Sequence, residues 1–334
     1  MKKAAFFHKI DKKKVQCVLC PHKCVLLPDQ KGICQVRKNV KGDLFTENYE
    51  RLCSVALDPI EKKPLYHYYP GKNILSIGSV GCNLKCKFCQ NYEISQSNVD
   101  ESPYLKSYTS EEVIQFARHE QNNVGVAYTY NEPIVFYEYV LETAKLAHEN
   151  NLKNVFVSNG FINTEPLQKL MPFIDAFSID LKGFTKAYYQ EMCSGDLEEV
   201  KNTILQIKEA GKHIELTNLV VTDVNDHESD FYEMIKWITK SLGKETVLHI
   251  SRYFPMFKFK NLPTSHSKLK ILYKIAKQEL DHVYIGNMRT DNEQNTYCPN
   301  CDSVLVKRSA YEVDLLGIDQ GSCKKCNTKV MNYA

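Results

Sequence analysis

Between residues 74 and 287 short apolar runs alternate with stretches of helical periodicity. Seven runs have strand length: Ile74–Val80, Val124–Tyr130, Asn154–Ser158, Ala176–Asp180, Ile214–Val221, Val247–Ser251 and Val283–Ile285. They are short and rich in Val and Ile, as strands buried on both faces should be. Helix starts stand between them. Thr109 with Glu112 reads as a capping box, and Asp196 with Glu199 as an Asp variant of it. After the second, Val200, Ile204 and Ile207 share one helical face and Gly211 follows as a stop. Ile134, Tyr137, Leu141, Ala144 and Ala147 predict one long helix over Ile134–Asn150.

Such alternation implies right-handed parallel βαβ units. No Gly-x-Gly-x-x-Gly follows the first strand, so a complete or partial (β/α) barrel fits better than a doubly wound sheet. In a barrel the chemistry should come from the C-terminal ends of the strands. The expected organisation is a Cys- and Lys-rich N-terminal extension over 1–60, a barrel over 61–290 and a compact Cys-bounded tail over 291–334.

The chain has 334 residues and a formal charge of +3, from Lys+Arg 43 and Asp+Glu 40, which argues against a nucleic-acid partner. No apolar stretch approaches the ~20 residues of a membrane-spanning helix. The run that follows Met1-Lys2-Lys3 is too short for a signal peptide, so the sequence reads as a soluble cytoplasmic protein. Cysteine changes this bland picture. Thirteen are present, an odd number without an export signal, and all but Cys53 and Cys193 fall in clusters at ligand spacing. In a reducing compartment such clusters mean metals rather than disulfides.

The central cluster, Gly81-Cys82-Asn83-Leu84-Lys85-Cys86-Lys87-Phe88-Cys89, directly follows the first predicted strand. Three thiolates spaced C-x₃-C-x₂-C on a tight loop suit a cubane 4Fe–4S cluster, and with three ligands one iron stays open to bind a substrate. A zinc site completed by a distant His is the competing reading. At the tail, Cys298-Pro-Asn-Cys301 and Cys323-Lys-Lys-Cys326 form two C-x₂-C knuckles that would close a tetrahedral four-sulfur site of rubredoxin-like or zinc-ribbon type. Zinc is the plainer occupant and a redox iron the sharper one. So short a tail needs its metal for stability. Near the N-terminus Cys17, Cys20, Cys24 and Cys34 carry four more sulfurs, for zinc or an auxiliary cluster, with His22 able to replace one sulfur.

The C-x₃-C-x-Φ-C loop after the first strand of a (β/α) barrel resembles the radical S-adenosylmethionine (SAM) superfamily. Asp58-Pro-Ile-Glu-Lys-Lys-Pro-Leu-Tyr-His67 and Cys89-Gln-Asn-Tyr-Glu-Ile-Ser-Gln96 resemble the radical SAM member of the AmmeMemoRadiSam three-gene system, which is similar to pyruvate formate-lyase activating enzymes and shares the Cys-rich head. The resemblance implies a partial barrel of the radical SAM type with small metal-binding extensions. It implies that SAM chelates the open iron of a 4Fe–4S cluster on Cys82, Cys86 and Cys89. One electron from a flavodoxin- or ferredoxin-like donor then cleaves SAM to a 5′-deoxyadenosyl radical that abstracts a hydrogen atom.

Phe88 would pack near the adenine. Asn131-Glu132-Pro133 stands where the family has a Gly-Gly-Glu-type motif, with Glu132 toward the SAM ammonium and Asn131 in place of glycine; Glu132 could equally serve a helix N-terminus. Ser158-Asn159-Gly160 resembles a Thr-Asn-Gly motif near the methionyl and ribose groups, or is a simple turn. Asp180-Leu-Lys182 matches an Asp-x-Lys motif, with Lys182 on the SAM carboxylate and Asp180 on SAM or a cation. The late-strand His of the activating enzymes has no counterpart here, and Arg252 is the substitute. Lone Cys193 and Cys53 read as small buried hydrophobes, with Cys193 alternatively a hydrogen donor at the barrel mouth, and His67 and His249 as satisfied core histidines.

The function expected is therefore a radical SAM enzyme of unknown substrate, with Memo-like and AMMECR-like proteins as partners. A glycyl-radical enzyme activase is one alternative. A zinc-ribbon nucleic-acid-binding module, suggested by Lys307, Arg308, Lys324, Lys325 and Lys329, is another.

Overall fold

A computed structural model describes residues 1–333. Its core is a sheet of eight strands: β1 Ser54–Pro59, β2 Asn73–Gly78, β3 Asn123–Tyr128, β4 Lys153–Ser158, β5 Ala176–Asp180, β6 His213–Val220, β7 Val247–Arg252 and β8 His282–Gly286. Each strand pairs with the one before it in sequence. β1 and β2 run antiparallel and every later pair is parallel. β1 and β8 are the two free edges, so the sheet is a barrel left open, the partial (β/α) form expected from the sequence. All seven anticipated strands are present. β1 lies inside the segment assigned to the N-terminal extension.

Helices cover the outer face: α1 Ser110–His119, α2 Tyr137–Glu149, α3 Thr164–Leu170, α4 Leu197–Glu209, α5 Glu228–Leu242 and α6 His266–Lys277. The Thr109–Glu112 capping box forms with both of its bonds. Asp196 caps α4 through the Glu198 N–H, one residue earlier than the box expected. The long helix anticipated from Ile134 is split: Pro133–Phe136 is a 3₁₀ turn, and α2 starts at Tyr137. Pro133 suits such a first turn, and the Glu132 carboxylate receives the Ile134 N–H. No helix among the described residues is long and apolar enough to cross a membrane.

The motif Asp58–His67 builds the N-terminal edge of the sheet rather than a pocket. Asp58 accepts from Lys62 and Lys63, at 2.8 and 2.6 Å. Glu215 on β6 is fully buried, and its two oxygens take the N–H groups of Tyr66 and His67 and the imidazoles of His213 and His249, all within 2.7–2.9 Å. His67 bonds the Tyr284 hydroxyl at 2.6 Å. His67 and His249 are thus satisfied core histidines.

The tail docks on this same edge through Arg308. Its guanidinium donates to Tyr66 O at 2.8 Å, Gln294 O at 3.1 Å and Thr296 Oγ1 at 2.8 Å, and lies 4.1 Å over the Tyr66 ring. Glu61 supplies the nearest carboxylate, 3.9 Å away, and neither side chain is exposed. Arg308→Ala strands that buried carboxylate and two carbonyls. The expected cost is roughly 3–5 kcal/mol in denaturant unfolding, with limited proteolysis newly cutting ahead of the tail, near 287–295.

Candidate active site

Each strand end on the C-terminal edge of β2–β5 contributes one piece of the site. After β2 the chain turns through Gly81, which has a φ of +90°; a Cβ there would meet Cys34 O at 2.6 Å, so the residue must be glycine. The loop beyond it carries Cys82, Cys86 and Cys89, whose sulfurs are close enough to feel one another's charge. Backbone and hydroxyl groups already solvate them: the Leu84 N–H points at Cys82 Sγ at 3.3 Å, and Ser95 Oγ lies 3.0 Å from Cys89 Sγ.

Burial pushes the Cys82 thiol well up, and the nearby Glu132 carboxylate adds to this. Cys86 is different. The Cys193 thiol donates to it and holds it below the ordinary range against burial, with Lys182 helping. Cys193 ends a single π-helical turn, Tyr189–Cys193, whose carbonyls at Met192 and Cys193 accept the N–H groups of Lys87 and Lys85. Such turns recur at functional sites. Cys193 is fully buried under the loop.

Glu132 follows β3. It is 2% exposed, and no ion pair reaches it among the described residues. Its oxygens accept from Ser158 Oγ at 2.8 Å, Asn159 N at 2.8 Å and Ile134 N at 3.2 Å. The helix-terminus role read from the sequence is present as a cap on the 3₁₀ turn, and the same carboxylate lies near Cys82. Asn159 carries the connection onward, its Nδ2 2.9 Å from Asn83 Oδ1 and 3.8 Å from Cys82 Sγ. Asn131 braces the turn, taking the Ser79 N–H at 3.0 Å and donating to Gly81 O at 2.9 Å.

Beyond β5, Lys182 Nζ pairs with Asp180 Oδ2 at 2.7 Å. Burial opposes its charge, yet Asp180 and the sulfurs of Cys86 and Cys193 hold the Lys182 ammonium well above its usual range. Phe88 is buried beside Tyr188, ring centres 6.2 Å apart. Arg252 stands apart from this set: its Nε donates to Thr264 O and its guanidinium covers the Phe254 ring. Ser95, Asn83 and Cys193 were not anticipated as neighbours of the loop sulfurs. Asn83 lies within the Gly81–Cys89 loop and Ser95 within Cys89–Gln96, but Cys193 belongs to no such motif.

The tail cysteines form a different kind of site. Cys298 and Cys326 sulfurs are 3.5 Å apart, and those of Cys301 and Cys323 3.6 Å apart. Among the described residues these four are the one group of such ligands with every donor atom within 4.8 Å of the others. That spacing fits four sulfurs around one ion. The three loop sulfurs do not all gather within 4.8 Å of one another.

A family model described as the Radical SAM superfamily matches residues 76–238. An uncharacterized protein of Methanocaldococcus jannaschii is 40% identical over 334 residues, 99% of this chain and 99% of its own. A second chain of that archaeon, provisionally named a glycyl-radical enzyme activating enzyme, is 29% identical over 232 residues, 65% of this chain and 90% of its own. Among solved structures, a radical SAM methyltransferase from Sphaerobacter thermophilus shares the fold with a TM-score of 0.52 at 14% identity, covering 65% of this chain and 67% of that one.

Burial lifts the Glu132 carboxyl from 4.5 to about 7, against the pull of its three donors. A carboxyl raised in this way stabilises the fold most below pH 4.5 and loses that contribution as pH climbs through 7. In urea unfolding, wild type should therefore lose about 3 kcal/mol relative to Glu132→Gln between those two pH values. A difference that stays flat with pH would mean that the group is already ionised.

Proposed function

Because the chain belongs to the radical SAM superfamily, and is an enzyme of that type, we propose that Cys82, Cys86 and Cys89 hold its 4Fe–4S cluster and that SAM binds between them, Glu132 and Lys182. The single observation that carries this is the pairing of a three-thiol loop with a buried carboxylate that no cation among the described residues contacts, Lys182 acting on it only from a distance. Three sulfurs leave one cluster iron open, and the carboxylate is an acceptor in search of a cation. The donor set fits. When bound, cluster and SAM supply a 5′-deoxyadenosyl radical for hydrogen abstraction.

The chain's own residues bind, orient and shield. Glu132 receives the SAM ammonium, which draws its carboxyl back toward the ionised form. Lys182, freed in part from Asp180, meets the SAM carboxylate. Ser158 and Asn159 act mainly through Glu132 and Asn83, and Asn131 fixes the Gly81 turn. Phe88 and Tyr188 line the side proposed for the adenine. The electron comes from an external flavodoxin- or ferredoxin-like donor. The substrate is one handled with Memo-like and AMMECR-like proteins, a reading supported by the motifs at 58–67 and 89–96. The second reading, activation of a glycyl-radical enzyme, is favoured by the name of the 29%-identical relative.

The tail cysteines hold zinc structurally in this proposal, since four sulfurs around one ion leave no position open.

Anaerobically reconstituted protein should be brown and should release 5′-deoxyadenosine on reduction with SAM. Cys86→Ala should release none. Glu132→Ala should keep its iron while SAM binding weakens roughly ten- to hundredfold, the value of one charge-assisted bond of about 1.5–3 kcal/mol. Wild-type turnover by Cys86→Ala would refute the cluster assignment. Deuterium passing into 5′-deoxyadenosine from a glycyl-deuterated partner protein, rather than from another deuterated substrate, would decide for the activase.

For the tail, Cys298→Ala/Cys301→Ala should lose one equivalent of zinc by metal analysis and protection from proteolysis beyond about residue 295, with the loop cluster intact. Iron and no zinc in the wild type would overturn the structural role.

A further inference from the structure

The four cysteines of the N-terminal segment converge on a recess of their own. Cys17 closes the strand Val15–Cys17, and its N–H donates to Cys24 O at 2.9 Å. Cys20 sits on the intervening turn, and Cys34 on a second turn where Gln35 N bonds Gly32 O at 2.9 Å. A Cβ on Gly32 would stand 3.7 Å from Cys24 Sγ and 3.8 Å from Cys34 Sγ, so both sulfurs reach toward the one point. All four cysteines line the same recess, whose empty space, its mouth included, is about 350 Å³.

Burial raises the Cys20, Cys24 and Cys34 thiols, and hydrogen-bond donors around them offset part of that rise. Backbone N–H groups of His22, Ile33 and of Val36 and Arg37 are aimed at Cys20, Cys24 and Cys34 in turn. Arg37 is 1% exposed and places its Nη1 3.6 Å from Cys17 Sγ, a buried cation beside a site that would carry net negative charge. It is anchored from behind by Glu138. His22 does not compete as a ligand through Nε2, which lies 2.7 Å from Asn83 O.

Spacing decides the occupant. Around one zinc, at about 2.3 Å from each sulfur, the sulfurs stand close to 3.8 Å apart. The tail meets that standard, but among the described residues no three of these four sulfurs lie within 4.8 Å of one another. Sulfurs that surround a common recess at wider spacing match the corners of a cubane.

We propose that Cys17, Cys20, Cys24 and Cys34 hold a second [4Fe–4S] cluster, packed against the Cys82–Cys89 loop. Asn83 lines the recess from within that loop, and Cys34 O abuts Gly81. With four thiolates it has no iron open to substrate. The inference does not depend on SAM chemistry.

It is tested in the full-length Cys82→Ala/Cys86→Ala/Cys89→Ala variant, reconstituted anaerobically with iron and sulfide. About four iron and four acid-labile sulfide should remain per chain, with a paramagnetic signal after dithionite reduction. Adding Cys20→Ser and Cys34→Ser should remove both. Because that variant could misfold, the same two changes are also made in the otherwise wild-type chain. There the loop cluster's share of iron should persist, with the total falling by about half. Retention of zinc instead of iron and sulfide, or no metal beyond the tail's single ion, in the triple variant would overturn the proposal.

Discussion

A carboxylate buried without a cation must be held by hydrogen bonds, and around Glu132 those bonds set the geometry of everything near it. Its oxygens tie the exit of β3 to the exit of β4 through Ile134, Ser158 and Asn159. Asn159 then grips Asn83 inside the cysteine loop. Loop, strand ends and 3₁₀ turn therefore share one polar core. A ligand that brings a positive charge to this carboxylate finds the surrounding donors already arranged.

The two edges of the sheet divide the labour. At the C-terminal edge stand thiols, a strained carboxyl and an ammonium, groups whose charge the fold perturbs. The N-terminal edge holds Glu215 with four satisfied donors and Arg308 clamped to Tyr66. Such an edge stabilises and does no chemistry. The Asp58–His67 motif belongs mostly to that second class, and it reaches toward the site only through Asp58 and Lys63 against Tyr130, the residue before Asn131.

The parallel strands were legible because strands buried on both faces read as unbroken apolar runs. β1 was not: it is an edge strand, partly exposed, ending in Pro59, and has no such run. The cysteine loop, Glu132, Ser158–Asn159 and Asp180–Lys182 could be read because each directly follows a legible strand. What escaped was long-range. Nothing local tells that Cys193 lies beside Cys86, that Asn131 spends its side chain on bracing a turn, or that Cys34 packs against Gly81. Asp196 capping one residue early and the break at Phe136 are details of local hydrogen bonding that periodicity does not carry.

Strand order equal to chain order has a temporal meaning. As synthesis proceeds, each strand emerges next to a partner already made, and the sheet can grow without waiting for a distant segment. Eight of the thirteen thiols, from Cys17 to Cys89, leave the ribosome before β3 exists. The three of the loop, Cys82, Cys86 and Cys89, are made before the turn carrying Cys193 that seats itself on that loop. The nascent chain thus passes through an interval in which the loop sulfurs lack that cover and are open to metal delivery and equally to oxidation.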